Sequence, residues 1–200
     1  MVKAVRPARD EALDTRVTGL ALDAAAGDRP ALGEFIRLTQ PDVTRFLRHL
    51  AGDASVEDLA QDTYVRAMDA LPGFEGRSSA RTWLLTIARR VVADQVRREV
   101  ARPQTPREPS WITEHGRSVG DSSLKVELDQ VLAGLEPGRR EAFVLTQVLG
   151  YDYQQAADVC GVRIGTIRSR VSRARADLVA ALAPAGSDGA LVLRDVERAG

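Results

Sequence analysis

The stretch DYQQAADVCGVRIGTIRSRVSRAR, residues 152–175, decides how the C-terminal part of this 200-residue chain folds. Asp152 can accept a hydrogen bond from the amide three residues later, and Gln155 can return one to Asp152, which predicts a helix start. Gly161 supplies the permissive backbone that a turn after a helix end requires. Val162 is then predicted to fill the angle between this short helix and the next one.

The second helix of this stretch has one apolar face and one basic face. Small residues and arginines lie opposite the apolar face, and no acidic residue occurs between Asp158 and Asp177. Solvated faces usually mix charge signs, so the pattern favours a DNA-reading helix-turn-helix over a solvated helical hairpin. Small side chains let a helix enter the major groove, where arginine binds guanine or phosphate. The residues of the apolar stripe, at i, i+4, i+7 and i+11, are Ile167, Val171, Ala174 and Leu178.

The composition favours helices and argues against several functional classes. Hydrophobic residues make up 44% of the chain and aromatic residues only 4%, which favours helices over sheets. Cys160 is the single cysteine, so no internal disulfide or cysteine-based zinc cage can form, and we expect it to be a buried packing residue. His49 and His115 are the only histidines, and no ligand spacing predicts a metal, a cofactor or a catalytic site.

Membrane and export signals are also missing from the sequence. No apolar run approaches the length that spans a bilayer, and the N-terminus lacks the apolar core of a signal peptide. We therefore expect a cytoplasmic protein that does not bind a membrane.

The formal net charge of zero hides a strong segregation of charge along the chain. Residues 53–75 contain six acidic residues and one arginine, whereas residues 77–102 contain seven arginines and two acidic residues. Such a chain is predicted to have one surface for a basic partner and another for a polyanion.

The hydrophobic periodicity predicts an all-α fold with two helical domains joined by a flexible linker. Proline and glycine interrupt every periodic pattern in the linker, which could reach roughly 75 Å if fully extended. The predicted segments are a mobile N-terminus at 1–16, a first domain at 17–100, the linker at 101–123, a second domain at 124–183 and a C-terminal tail at 184–200.

Individual helices follow from the same patterns. Pro41 is predicted to break or kink the second helix, and Asp28 is predicted to cap its start with Pro30 in the first turn. The predicted helices are 17–26, 28–40, 42–50, 56–71, 79–99, 124–135 and 138–149, followed by the helix-turn-helix. The predicted inward residues of the 79–99 helix are Trp83, Leu84, Ile87, Val91 and Val96.

Three segments, in order, resemble those of bacterial extracytoplasmic-function sigma factors and together span about 130 of the 200 residues. Residues 56–71, VEDLAQDTYVRAMDAL, resemble region 2.2 of that family, and residues 74–89, FEGRSSARTWLLTIAR, resemble regions 2.3 and 2.4. Residues 150–157, GYDYQQAA, and 162–175, VRIGTIRSRVSRAR, resemble region 4.2. The combination identifies the chain as a member of this family, most similar to its actinobacterial SigC-like members.

The resemblance implies a promoter-specificity subunit without catalysis of its own. Such a subunit recruits core RNA polymerase through the β′ clamp and β subunits, reads a −35 and a −10 element, and helps to open the DNA. The implied DNA partner is duplex at −35 and single-stranded at −10. An anti-sigma factor is a further expectation of the family.

The resemblance also implies roles for individual residues. Candidates for binding the β′ clamp coiled coil, on the outward face of the region 2.2 helix, are Asp58, Gln61, Asp62 and Arg66. Candidates for the −10 element, in the region 2.3 loop and the 2.4 helix, are Arg77, Ser78, Ser79, Arg81, Arg89, Arg90, Asp94, Arg97 and Arg98. Candidates for the −35 element are Arg163, Thr166, Arg168, Ser169, Arg170, Ser172, Arg173 and Arg175.

Some of these positions carry more specific expectations. Arg168 and Arg173 are expected on guanine or phosphate, and Ser169 on a neighbouring base edge. Arg90 stands where the family often has asparagine, which puts an inherited −10 sequence rule in doubt. Trp83 could be a wedge that separates DNA strands, but its register with the apolar residues of its helix favours a core role.

Two other functions fit part of the sequence. A LuxR-type regulator has a similar C-terminal helix-turn-helix and binds duplex operators without polymerase. An enzyme acting on DNA, such as a serine recombinase, can also carry a helix-turn-helix, but the all-helical pattern leaves no sheet to hold a nucleophile. The acidic face around Asp62 and the arginine-rich helix at 79–99 favour the sigma factor.

Overall fold

The computed structural model describes residues 11–52, 55–101 and 130–182 of the chain, and within these ranges it contains helices and no β-strand. The all-α prediction is therefore confirmed. The helices are α1 (Glu11–Ala25), α2 (Arg29–Ala51), α3 (Val56–Ala70), α4 (Ala80–Ala101), α5 (Pro137–Phe143), α6 (Tyr153–Cys160) and α7 (Ile164–Leu182). Leu71–Gly73 forms a 3-10 turn after α3, and Val144–Val148 continues α5 as a π-helical turn.

Helices α1 to α4 form the first domain, in which α4 contacts each of the other three. The sequence begins α2 as predicted, because the Asp28 side chain accepts a hydrogen bond from the Ala31 amide at 3.0 Å and Pro30 lies in the first turn. The predicted inward stripe of α3 is likewise buried. The largest fully buried side chains of this domain are Phe35, Phe46, Leu47, Leu84 and Leu85.

Helix α1 begins at Glu11, so the predicted start at Val17 was wrong by six residues. Asp14 explains the difference, because its carboxylate accepts a hydrogen bond at 2.8 Å from Arg81 on α4. Leu13 also packs against the core of the first domain. These contacts join residues far apart in the sequence, so a local pattern could not predict them. The rest of the predicted mobile N-terminus, residues 1–10, lies outside the described ranges.

Helix α2 runs from Arg29 to Ala51 through Pro41, so of the predicted break or kink at this residue the break was wrong. A proline inside a helix costs about 3 kcal/mol through one lost hydrogen bond and a steric clash. Burial of one apolar side chain stabilises by about 1.5–3 kcal/mol, and four residues on one face of α2 are fully buried. The burial of Phe35, Val43, Phe46 and Leu47 therefore outweighs the proline.

The helix-turn-helix has the predicted geometry. The Asp152 carboxylate accepts a hydrogen bond from the Gln155 amide at 2.8 Å, and the Gln155 side-chain oxygen accepts one from the Asp152 amide at 3.1 Å. Gly161 ends α6 in the left-handed conformation at φ 64°. The predicted apolar stripe of α7 is buried throughout, and Cys160 is buried as expected of a packing residue.

The second domain packs directly against the first. Helix α6 contacts α4, helix α5 contacts α2, and one continuous cluster contains buried residues of both domains, while Leu132, Leu135, Ala174 and Leu178 form a smaller cluster in the second domain. This contact explains why Leu85 and Val92, which were not predicted to face inward, are buried. Val96 was predicted to be buried and is 52% exposed, because α4 extends beyond its neighbours over residues 96–101.

Parts of the predicted organisation lie outside the described residues. Of the helix predicted at 124–135, residues 130–133 are described and helical, and Leu132 and Leu135 are buried against α7. The tail at 184–200 and the linker, apart from Ala101 at the end of α4, are not described. The predicted domain boundaries therefore stay a prediction.

Candidate nucleic-acid and protein-binding surfaces

The outward face of α3 combines carboxylates with exposed apolar side chains. Asp58 and Gln61 are exposed on this face, and Asp62 is half-exposed. Val65 and Met68 follow at helical spacing and are exposed as well. Neither residue was among the predicted polymerase-binding residues. Their positions seven and ten residues after Asp58 place them on the same helix face, which could have identified them. The face is suited to a protein partner with a basic and partly apolar surface.

Arg66 turns away from this outward face and toward α4. Its guanidinium donates to the Asp62 carboxylate at 3.1 Å and 3.0 Å and to Asp94 on α4 at 2.5 Å. The hydrogen bond from Arg66 holds the pKa of Asp94 below its usual value, and the same bond raises the pKa of Arg66. Arg66 therefore joins two candidate sets that the sequence analysis treated as separate.

Two further arginines of α4 complete this arrangement. Arg97 is hydrogen-bonded to Asp94, and Arg98 lies 3.7 Å from the Asp62 carboxylate. We call these five residues the arginine–aspartate cluster: Asp62, Arg66, Asp94, Arg97 and Arg98.

The loop before α4 presents one candidate to solvent and uses another to start the helix. Arg77 is exposed and lies 3.3 Å from the Glu75 carboxylate. Ser79 accepts a hydrogen bond from the Thr82 amide at 3.2 Å and shares one with the Thr82 hydroxyl at 2.8 Å, so it stabilises the first turn of α4. Ser78, between them, is half-buried.

Trp83 is partly buried and packs against the hydrophobic core. Its ring centroid lies 4.9 Å from that of Phe74, at an interplanar angle of 43°. This tilted contact is favourable between aromatic rings. The structure therefore supports the core role that was favoured for Trp83.

Arg81 lies inside the molecule, away from the other −10 candidates. Only 8% of the residue is exposed. Its guanidinium donates to Asp42 on α2 at 3.0 Å and to Asp14 on α1 at 2.8 Å, and it lies 5.7 Å from the centre of the Tyr151 ring. Arg81 thus connects three helices of the first domain with the turn before α6.

Arg89, another −10 candidate, is held at the contact between the domains. It donates a hydrogen bond to the buried Glu141 of α5. Cys160 lies close to this pair, and burial, followed by the charge of Glu141, raises the pKa of its thiol to about 12. Arg90, the next residue after Arg89, is exposed. The packing of the two domains therefore engages Arg89 and leaves Arg90 accessible.

Helix α7 carries an exposed basic face. The guanidinium groups of Arg163, Arg168 and Arg173 make no hydrogen bond or ion pair with any described residue. Ser169 and Ser172 are exposed among them, and the Ser169 hydroxyl donates to the Thr166 carbonyl at 2.9 Å. Cationic side chains without an internal partner, interleaved with small residues, can approach a phosphate backbone closely.

The remaining −35 candidate arginines have internal contacts. Arg170 folds over the start of α5, where a Cβ on Gly138 would lie 3.0 Å from its guanidinium carbon. Arg175 donates to the side-chain oxygen of Gln147 at 2.9 Å. Arg139, which was not a candidate, binds Asp177 at 2.7 Å and ties α5 to α7. These contacts fix the orientation of α7 in the second domain.

Two further features bear on the kind of site. Among residues 11–52, 55–101 and 130–182, no three side chains of histidine, cysteine, aspartate or glutamate come together as a metal site would require. None of the helices in the same ranges is long and apolar enough to cross a membrane.

Comparisons with known proteins match both domains to regions of one protein family. A family model described as Sigma-70 region 2 matches residues 35–102, and one described as Sigma-70, region 4 matches residues 125–178. The chain is 49% identical over 173 residues to the ECF RNA polymerase sigma factor SigC of Mycobacterium tuberculosis, covering 86% of this chain and 94% of that one.

Two solved structures are similar to the whole described fold. CnrH, in complex with the cytosolic domain of CnrY, matches with a TM-score of 0.65 at 27% identity, over 82% of this chain and 96% of that one. The sigma factor RpoE of Bartonella quintana, in complex with the anti-sigma factor NepR, matches with a TM-score of 0.62 at 30% identity, over 77% and 98%. With both domains matched in order, the chain belongs to the extracytoplasmic-function RNA polymerase sigma factors, which direct the polymerase to promoters.

Proposed function

We propose that the chain binds core RNA polymerase through the outward face of α3 and promoter DNA through α7, α4 and the loop before α4. The observation that carries this proposal is the pair of chemically opposite surfaces on the two family-matched domains. One is the carboxylate and apolar face of α3, and the other is the row of unpaired arginines on α7.

The polymerase-binding face consists of Asp58, Gln61 and Asp62, with Val65 and Met68 beside them. Carboxylates steer a basic partner into register, and exposed apolar side chains supply the contact area that excludes water. The partner implied by the family is the coiled coil of the β′ clamp. Arg66 is not part of this face in our proposal, because its donors are directed to Asp62 and Asp94.

The −35 element is read by the exposed face of α7. Arg168 and Arg173 bind guanine or phosphate, Ser169 and Ser172 face base edges, and Arg163 binds the backbone. Arg170 and Arg175 contact Gly138 and Gln147 and so hold the helix in position, and Thr166 is assigned to the DNA backbone.

The −10 element is bound by the exposed part of the first domain. Arg77, Ser78 and Arg90 are accessible there, together with Arg97 and Arg98 at the end of α4. Ser79 and Arg81 serve the fold instead, through their contacts with Thr82 and with Asp14 and Asp42. Asp94 positions the arginines around it.

The two domains must separate for both elements to be bound at once. The −35 and −10 positions are roughly 25 base pairs apart, which corresponds to about 85 Å along the DNA. In the structure α6 packs directly on α4, and Arg89 is bound to Glu141. Separation would release Arg89 for the −10 strand.

The remaining aspects of the function follow from the family. We infer that the chain has no catalysis of its own, because RNA synthesis belongs to the core enzyme, and that it acts in the cytoplasm, where promoter DNA lies. CnrH and RpoE were solved with CnrY and NepR bound. We propose on this likeness that an anti-sigma factor also binds this chain.

One experiment tests the proposed function as a whole. The chain is mixed with core polymerase and a promoter library, and the transcripts are sequenced. We expect specific initiation only when chain and core are both present, because each supplies what the other lacks. Tight binding to duplex operators by the chain alone, with no effect on initiation, would support the LuxR-type regulator instead.

Replacing Arg168 by alanine tests the −35 face. One well-placed arginine contact contributes roughly 1–3 kcal/mol to discrimination between bases, so we expect about a 10- to 100-fold loss of holoenzyme affinity for the cognate −35 element. The measurement is a titration of fluorescent promoter fragments with holoenzyme. Arg29→Ala, which removes an exposed arginine from α2, is the control and should bind as the unchanged chain does. Equal affinities for the two variants would exclude Arg168 from the −35 contact.

A further inference from the structure

A shallow cleft on the first domain is lined by four residues of the arginine–aspartate cluster, and the fifth, Asp62, is bound to Arg66 at its edge. The cleft has a volume of about 500 Å³ and is bounded by Arg66, Asp94, Arg97, Arg98 and Ala101. Three guanidinium groups in the cluster face two carboxylates, Asp62 and Asp94. The cluster thus carries an excess positive charge at an accessible surface.

We propose that this cleft binds one backbone phosphate of the −10 strand, with Arg66 as a phosphate ligand and Asp62 as the internal counter-ion that the phosphate displaces. The inference rests on the proposed function, and it assigns Arg66, which the family resemblance placed among the polymerase-binding residues, to the DNA-binding surface.

Arg66 has donors to spare for a phosphate. A guanidinium carries five N–H donors in a planar fork, and Arg66 uses three of them on Asp62 and Asp94. Arg97 and Arg98 project from the next turns of α4, with 73% and 61% of their side chains exposed. Arginine binds phosphate with paired N–H donors, so three converging guanidinium groups form an effective site for one phosphate.

The two carboxylates have different positions in the cluster. Asp94 is bound by both Arg66 and Arg97 and is the less exposed of the two, so it holds these arginines in place. Among the described residues, the Asp62 carboxylate accepts hydrogen bonds from Arg66 alone, and Arg98 at 3.7 Å is beyond hydrogen-bond distance. An exposed ion pair contributes little to stability, so a phosphate can displace Asp62.

Asp62 also belongs to the proposed polymerase-binding face. A partner that engages its carboxylate from outside removes the competitor of the phosphate. By linkage, phosphate binding then strengthens that partner's binding by the same factor.

Neutralising single phosphates tests the cleft. Holoenzyme is titrated with −10 single-stranded oligonucleotides in which one phosphate at a time is replaced by an uncharged methylphosphonate. In the unchanged chain we expect a several-fold loss of affinity at the phosphate that occupies the cleft. In Arg66→Met the loss of affinity at that phosphate should disappear, whereas losses at any other contacted phosphates should persist. The slope of log affinity against log salt concentration should fall by about 1.

The matched control is Arg37→Met, because Arg37 also forms a side-chain pair on an exposed helix, with Glu34 at 2.7 Å. Its pattern of losses should equal that of the unchanged chain. If Arg66→Met and Arg37→Met show the same affinity losses at every neutralised phosphate, the proposal is overturned, and Arg66 only forms an ion pair that joins α3 to α4.

A second measurement tests the role of Asp62. At low salt and without core polymerase, Asp62→Asn should bind the −10 oligonucleotide several-fold more tightly than the unchanged chain, because the competing carboxylate is gone. Asp23→Asn, which removes an exposed carboxylate from α1 outside both proposed surfaces, should not. Equal affinities would overturn the counter-ion role. Core association of both variants is measured separately, so loss of polymerase binding, which concerns the proposed function, is distinguishable from failure of the cleft.

Discussion

Replacing Asp58 by arginine is expected to abolish association with core RNA polymerase. The residue is exposed on the proposed polymerase-binding face and is not part of the arginine–aspartate cluster. A like charge placed against a basic partner costs several kcal/mol, which corresponds to a loss of affinity of at least about 100-fold. The measurement is a titration of labelled core enzyme with the purified chain.

The control for this variant is Asp23→Arg, which reverses an exposed carboxylate on α1. It changes the net charge by the same amount on a different helix, and it should bind core as the unchanged chain does. Both variants should keep the unchanged melting temperature, since surface substitutions usually alter stability by less than about 0.5 kcal/mol. Unaltered core binding by Asp58→Arg would move the polymerase contact away from α3.

Features set by local sequence were predicted well. The start of α6 depends on a cap and its partner three residues away, and the buried stripe of α7 depends on helical periodicity within one segment. The structure confirms both, with Asp152 bonded to Gln155 and Ile167 buried. Such interactions are complete within a dozen residues, so the sequence alone contains them.

Features set by packing between distant segments were not predictable in the same way. The start of α1 depends on Arg81, which is 67 residues from its partner Asp14. Leu85 is buried because the second domain packs against α4. Val96 is exposed because the C-terminal end of α4 extends beyond the helices packed against it. Helical periodicity identifies an apolar face, but it does not reveal how far along the helix that face is covered.

The candidate binding residues also divide into those that local sequence predicts and those that depend on contacts between distant segments. Arginines at helical spacing identified the exposed face of α7, which needs no partner elsewhere in the chain. Arg81 and Arg89 also lie in an arginine-rich segment, yet each is bound to a carboxylate on another helix. An arginine in a basic segment is therefore a candidate for DNA binding only after its internal partners are known.

The hydrogen bond between Arg89 and Glu141 lies at the contact between the two domains, so it depends on how the domains pack. Burial of apolar area on α4 stabilises the closed arrangement at about 25 cal/mol per Å². Polymerase and promoter must offset this stabilisation when the domains separate. Because Arg89 binds Glu141 only while the domains are in contact, the same separation exposes both an apolar face and a cation. In the proposed function, contact between the domains and the availability of Arg89 for the −10 strand are thus alternatives.

Replacing Arg81 by methionine is expected to lower the melting temperature of the chain by roughly 10 °C. Breaking a buried ion pair by removing one partner costs about 3–5 kcal/mol, because the remaining charge is left in a poorly solvated position. Asp14 and Asp42, with 13% and 19% of their side chains exposed, would both lose their guanidinium partner. Thermal unfolding followed by circular dichroism measures the change.

Arg37→Met is the matched control, since its ion pair with Glu34 is exposed and its loss should cost less than about 1 kcal/mol. The double variant Arg81→Met with Asp42→Asn should regain part of the lost stability, because one of the two carboxylates that faced the Arg81 guanidinium is then uncharged. A DNA-contacting Arg81 would behave differently: promoter opening would be lost while the melting temperature stayed unchanged. The direction of these two readouts therefore decides whether the residue supports the fold or contacts the −10 strand.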